Sequence, residues 1–212
     1  MSSKMSEQPE DRRCDYGEGS TKTHSLPRIV NIPPLKELDD IYVEEEIRGI
    51  ARSIYSQMKI RNPRGENRKL LIFFVLREAY LRKGIVKDQT CLAELVGLNK
   101  SRINYADRIF SESQTGFRPT LRIAKPQELI PDLASRILSS ESINLVTDFS
   151  NPIIEKKPEL LEKHPRDVAV ALLYFFMKIH GFEIVDSEFS HNFDVSDQTI
   201  KSICSIISTA RS

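Results

Sequence analysis

The sequence predicts an all-α protein: two tandem five-helix repeats, each built around an apolar third helix, behind a disordered N-terminal tail. Two observations carry this. The run Leu70-Leu71-Ile72-Phe73-Phe74-Val75-Leu76, continued by Ala79, Tyr80 and Leu81, covers every side of a helix with apolar residues. Such a helix must be surrounded by neighbours, and Gly84 stops it, as glycine commonly does just past a helix end. Shifted by ninety-seven positions, the pattern returns without a gap: Leu76 meets Leu173, Gly84 meets Gly181, Leu98 meets Val195 and Ile103 meets Ile200. A second all-round apolar stretch, Val168 to Met177, takes the place of the first. Self-similarity at a fixed period is the signature of repeated structural units.

The totals agree with two small cores. A chain of 212 residues holds one large domain or two of about 100 residues. Its 40% apolar content suffices to bury both. A formal charge of +1 gives no overall field for a polyanion, so any such contact needs a local patch. Cys14, Cys91 and Cys204 have neither metal-ligand spacing nor an even count for disulfides, which points to a reducing, intracellular setting. No apolar segment reaches the roughly 18 residues needed to cross a bilayer, and no signal-peptide core is present, so no membrane partner is expected.

In order, residues 1–28 read as the disordered tail, being polar and without apolar periodicity. The first repeat spans 29–116. Its lead-in, Leu26 to Pro34, has apolar residues spaced by prolines that forbid a helix. It is either an extended strap for a partner or a packed approach to the first helix. Residues 34–41 fit a short helix with Leu35, Leu38 and Ile41 on one side. Residues 43–58 follow, with Ile47, Ile50, Ala51, Ile54, Tyr55 and Met58 at helical spacing. Glu44, Glu45 and Glu46 fall in its first turn, where carboxylates complement the helix dipole. A polar loop holding Lys59, Arg61, Arg64, Arg68 and Lys69 leads to the central helix. After Gly84, residues 88–96 form a short helix, Gly97 a turn, and 99–110 a second helix.

The second repeat spans 117–212. Pro126 opens a helix to Leu138, with Leu129, Ile130, Leu133, Ile137 and Leu138 on its apolar face. A weaker helix carrying Ile143, Leu145, Val146 and Phe149 is broken or kinked at Pro152. Residues 153–163 are charged and partly helical. The second central helix then runs from His164 to Gly181, and residues 186–193 and 196–207 supply another helix-turn-helix pattern. No strand is expected.

Five helices around an apolar third one, in tandem, resemble the cyclin fold, and in particular the core of general transcription factor IIB and its archaeal and viral relatives. Residues 126–138 look like the opening helix of that family's second repeat, 164–181 like its central helix, and 90–110 like its threonine-initiated helix pair. The likeness covers roughly residues 35 to 212. It implies a non-enzymatic initiation factor, without cofactor or small-molecule substrate, bridging promoter DNA, a TATA-binding-type protein and an RNA polymerase. The first repeat would face the polymerase and the second the DNA. The implied location is the nucleus or another site of transcription, and for a large-DNA-virus version the viral factory or virion. Two departures stand out: Cys14 alone cannot supply the family's zinc ribbon, and the second helix-turn-helix is net acidic.

Candidate contacts to DNA or polymerase follow. The basic loop offers Arg61, Arg64, Arg68 and Lys69; the first helix-turn-helix offers Asn99, Lys100, Arg102 and Arg108. Lys156, Lys157 and Arg166 lie near the equivalent loop of the second repeat, and Gln198, Thr199 and Lys201 on its helix-turn-helix, where Gln198 could pair with adenine. Each has an ordinary alternative: the helix pairs exist to pack on the central helix, and basic loops are commonly solvated. Catalysis finds no His, Cys or Asp cluster and no phosphate-binding glycine loop. Two other functions remain open: a cyclin proper regulating a kinase, and a scaffold that kept the fold and lost DNA binding.

Overall fold

A computed structural model describes residues 35–60, 63–120 and 122–210. The expected tail, the proline-spaced segment 26–34 and Arg61 lie outside them. Among the described residues there are eleven α-helices, two 3-10 segments and no strand. The first half comprises α1 (Glu37–Asp40), α2 (Glu45–Gln57), α3 (Glu66–Arg82), α4 (Gln89–Leu95), a 3-10 segment Lys100–Tyr105, α5 (Ala106–Ile109) and α6 (Glu112–Thr115). The second comprises α7 (Pro126–Ala134), α8 (Ser140–Lys156), a 3-10 segment Pro158–Glu162, α9 (Pro165–Ile179), α10 (Asp186–Phe193) and α11 (Asp197–Ser208).

The described residues belong to one compact unit that holds two apolar cores. One is drawn from residues 35–117 and the other from 129–210. Every residue from Leu70 to Tyr80 on α3 is buried, as an all-round apolar helix requires. On α9 burial is continuous from Val168 to Leu173 and resumes at Phe176 and Met177. α2 lies along α3. In the second half the main neighbours of α9 are α7 and α11, with α8 laid chiefly on α7. Both central helices are enclosed, but by differently placed neighbours.

The ninety-seven-residue offset reappears in the backbone. Gly84 and Gly181 both take the left-handed conformation, at φ 79° and 76°. The following amides close the same bond, Ile85 to Tyr80 at 2.9 Å and Phe182 to Met177 at 3.0 Å. Gly97 and Asp194 share the next left-handed turn, at φ 63° and 54°. There Leu98 N–H reaches the Ala93 carbonyl at 2.8 Å and Val195 N–H that of Ser190 at 3.2 Å. Asp is among the few non-glycine residues that tolerate this conformation.

Three expected elements differ. Residues 99–110 are not one α-helix but a 3-10 segment that becomes a single α turn. Asn99 accepts from the Ser101 amide, two residues on, and the first backbone bond, Arg102 to Asn99, spans three residues, which sets 3-10 winding from the start. In the second half Ser196 caps the Thr199 amide, three residues on, and α11 is a regular helix. α7 ends at Ala134, before Leu138, because Arg136 and Ile137 bond three residues back. α8 is not broken at Pro152. The ring removes the donor to the carbonyl of Asp148 and crowds that carbonyl, and Asp148 is an exposed residue whose carbonyl water can serve.

Candidate nucleic-acid and protein interface

Polar side chains join the halves, together with Val86 of the first half, which packs against the second apolar core. Asp88 caps α4 by accepting from the Cys91 amide, and its other carboxylate oxygen accepts from Arg166 Nε at 2.9 Å. The Asp88 side chain is 2% exposed and that of Arg166 12%, so the pair is largely screened from water at the edge of a cleft. Lys87 reaches Asp132 at 2.5 Å, and the Asp88 amide donates to the same carboxylate at 2.8 Å. Arg136 pairs with Glu94 at 2.6 Å and donates to the Asn192 carbonyl at 3.3 Å. The segment between the halves is tied in as well, its Thr120 amide donating to Glu78 at 2.7 Å. Glu78 is fully buried in mid-α3, beside Arg77 at 3.2 Å.

Beside this junction runs a cleft of about 1050 Å³, walled by the end of α3, residues 86–90, the 100–112 region, the 119–124 segment and Pro165–Arg166. Two of its guanidinium nitrogens, Nε of Arg77 and Nη2 of Arg166, are buried with no acceptor among the described residues. A buried donor left unmatched costs about 1–3 kcal/mol, and both nitrogens are shielded from solvent. The rim includes Ile123, 88% exposed. Cations and carboxylates are both present in the walls, which suits a mixed protein surface better than a bare polyanion.

The structure distributes the sequence-predicted contacts unevenly. Arg166 is turned inward to Asp88, away from solvent. Arg68 forms a two-pronged bond to Glu37, at 3.0 and 2.8 Å, and holds that carboxyl below its ordinary pKa. Lys69 pairs with Glu66 at 2.8 Å, whereas Arg64 is exposed. Asn99 caps the 3-10 segment, Lys100 bonds Glu94 at 3.0 Å and nears Asp194 at 3.6 Å, and Arg102 bonds Asn67 at 2.9 Å. Arg108 stacks on Tyr105. Lys156 reaches the Ala210 carbonyl at 3.4 Å, and Lys157 ends α8 half-buried. Gln198 and Thr199 line a second hollow, of about 430 Å³, with Lys163, His164 and Asp167 at the start of α9. Lys201 is held by Asp197 at 2.9 Å, which raises its pKa. Asp186 in turn is lowered by Lys178 first and then by the Tyr174 hydroxyl, so α9, α10 and α11 share one ionic network.

Sequence reading missed the cleft. The legible sign was Arg77-Glu78 inside an otherwise apolar helix, two charges with no reason to be there unless paired or used. Burial pushes the thiols of Cys91 and Cys204 up to about 12, which makes both unreactive packing groups. Among the described residues no group of side chains is placed to hold a metal ion. No helix there is long and apolar enough to cross a membrane. Compared with protein-family models and with curated proteins, the chain matches none.

Proposed function

We propose that this chain is a non-enzymatic transcription initiation factor of the factor IIB type, with two cyclin-like repeats that bridge promoter DNA, a TATA-binding-type protein and an RNA polymerase. It acts where transcription takes place, and its divergence suits a viral version. The observation that carries this reading is the cleft of about 1050 Å³ walled by residues of both halves, with cations and carboxylates together in its lining. An adaptor needs such a seat for a partner's acidic or carbonyl-rich loop. The exposed Gln198, beside Lys163 and His164, adds a polar edge suited to a groove of DNA.

A scaffold without DNA binding is the second reading, favoured by the carboxylates that hold Lys100 and Lys201. Affinity purification of the tagged chain from its native source tests the proposal. Polymerase subunits and a TATA-binding-type protein are expected together; a protein kinase without them would replace the proposal with a cyclin. A scaffold would retain its protein partners and show no salt-dependent affinity for duplex DNA.

A further inference from the structure

We infer that a basic turn on the first half, formed by Lys59, Arg82 and Arg118, is a docking surface for the phosphate backbone of duplex nucleic acid. The inference rests on the initiation-factor reading and gives it a surface. These three cations come from the end of α2, the end of α3 and the segment after α6, and the fold brings them to one turn. The Lys59 amide donates to the Thr115 carbonyl at 2.8 Å, and the stem of Lys59 runs over Gly116, with Cδ 3.7 Å from where a Cβ would stand. Gly116 has φ 67°, a left-handed turn that a side chain would strain. The Arg82 guanidinium lies 5.1 Å from the centre of the Phe117 ring, and Arg118 is the next residue.

The turn is fixed before any partner arrives. Thr115 is fully buried; its hydroxyl donates to the Ser111 carbonyl at 3.0 Å and accepts from the Phe117 amide at 3.1 Å. Phe117 is 3% exposed and packs edge-on against Phe74. The Arg82 guanidinium is thus held over an anchored ring on an exposed residue, and a guanidinium's fork suits a two-pronged bond to phosphate.

Charge separates this turn from the rest of the basic loop. Arg68 and Lys69 are matched by Glu37 and Glu66. Lys59, Arg82 and Arg118 are exposed, and no carboxylate pairs with them among the described residues. The turn's aromatic and apolar groups, Phe117 above all, are already buried. A protein partner would find cations without the aromatic anchors that interface cores use, whereas phosphate needs only the cations.

The test is a salt titration of the whole chain on a fluorescent duplex of mixed sequence. The wild type is compared with the charge-reversed set Lys59→Glu, Arg82→Glu and Arg118→Glu and with the glutamine set at the same positions. Each lost phosphate contact removes about 0.9 from the slope of log K against log salt, so the glutamine set is expected to lower it by about 2–3. At 0.1 M salt that is a loss of affinity on the order of a hundredfold. Unfolding midpoints of the glutamine set close to wild type are expected, since the substituted groups are exposed. A wild type that binds with a salt slope its glutamine set keeps would overturn the turn as the docking surface and leave the initiation-factor reading standing. Loss of polymerase retention with DNA affinity unchanged would assign the turn to a protein and also overturn it. A wild type with no salt-dependent affinity would remove this surface together with the DNA arm of the proposal.

Discussion

Replacing Asp88 by alanine is expected to destabilise the fold by about 3–5 kcal/mol, the cost of leaving one member of a largely buried ion pair without its partner. Arg166 would stay buried, its Nε facing a space where a carboxylate had been and its Nη2 already lacking an acceptor. The α4 amide of Cys91 would lose its cap in the same step, a further contribution of about 1 kcal/mol. Denaturant midpoints at unchanged slope measure the loss. Adding Arg166→Met should recover a good part of it, because a pair removed together leaves no orphan charge. A single-mutant cost below about 1 kcal/mol would mean that water reaches the pair, as it does in ordinary surface ion pairs. The transition itself is also informative: two unfolding steps in the Asp88→Ala protein would show that this ionic junction couples the halves.

Phe74→Ala carries the second large effect. Phe74 is fully buried on α3, with its ring 5.3 Å from Phe110 and 6.1 Å from Phe117, so it ties the central helix to the end of α5 and to the segment leaving α6. Truncating a phenylalanine in such a setting costs about 3–5 kcal/mol, the transfer of the ring plus the cavity it leaves. For a unit of this size each kcal/mol lowers the melting temperature by about 2–4 °C. Phe182→Ala is the control: at 40% exposure it should cost much less. A melting temperature that falls equally for both would place Phe74 outside a close-packed core.

What the sequence discloses and what it hides divide along the range of the interactions. α3 and α9 were legible because burial on every side leaves an unbroken apolar run, and their ends were legible because a left-handed turn favours glycine. Asp194 shows the limit even there: it takes the left-handed turn that Gly97 takes ninety-seven residues earlier, and its residue type does not announce it. The 3-10 winding after Asn99 turns on which amide the cap selects, a choice of one residue that hydrophobic period does not encode. The basic loop misled for a similar reason. Counting charge along the chain makes Arg68 and Lys69 look available, yet the partner of Arg68 is Glu37, thirty-one residues away. The partner of Arg166 is Asp88, seventy-eight residues away, and the turn where Lys59, Arg82 and Arg118 meet exists only once the chain is folded.

A crystal structure of the chain, with residues 35–117 superposed on 129–210, tests most directly whether one helical plan is used twice. Gly84 should fall on Gly181, Gly97 on Asp194 and Asn99 on Ser196, with α3 and α9 each enclosed by its own half. Halves that superpose only in some other register, or an α3 or α9 lying against solvent, would contradict the repeat and remove the basis for a bridging factor in transcription.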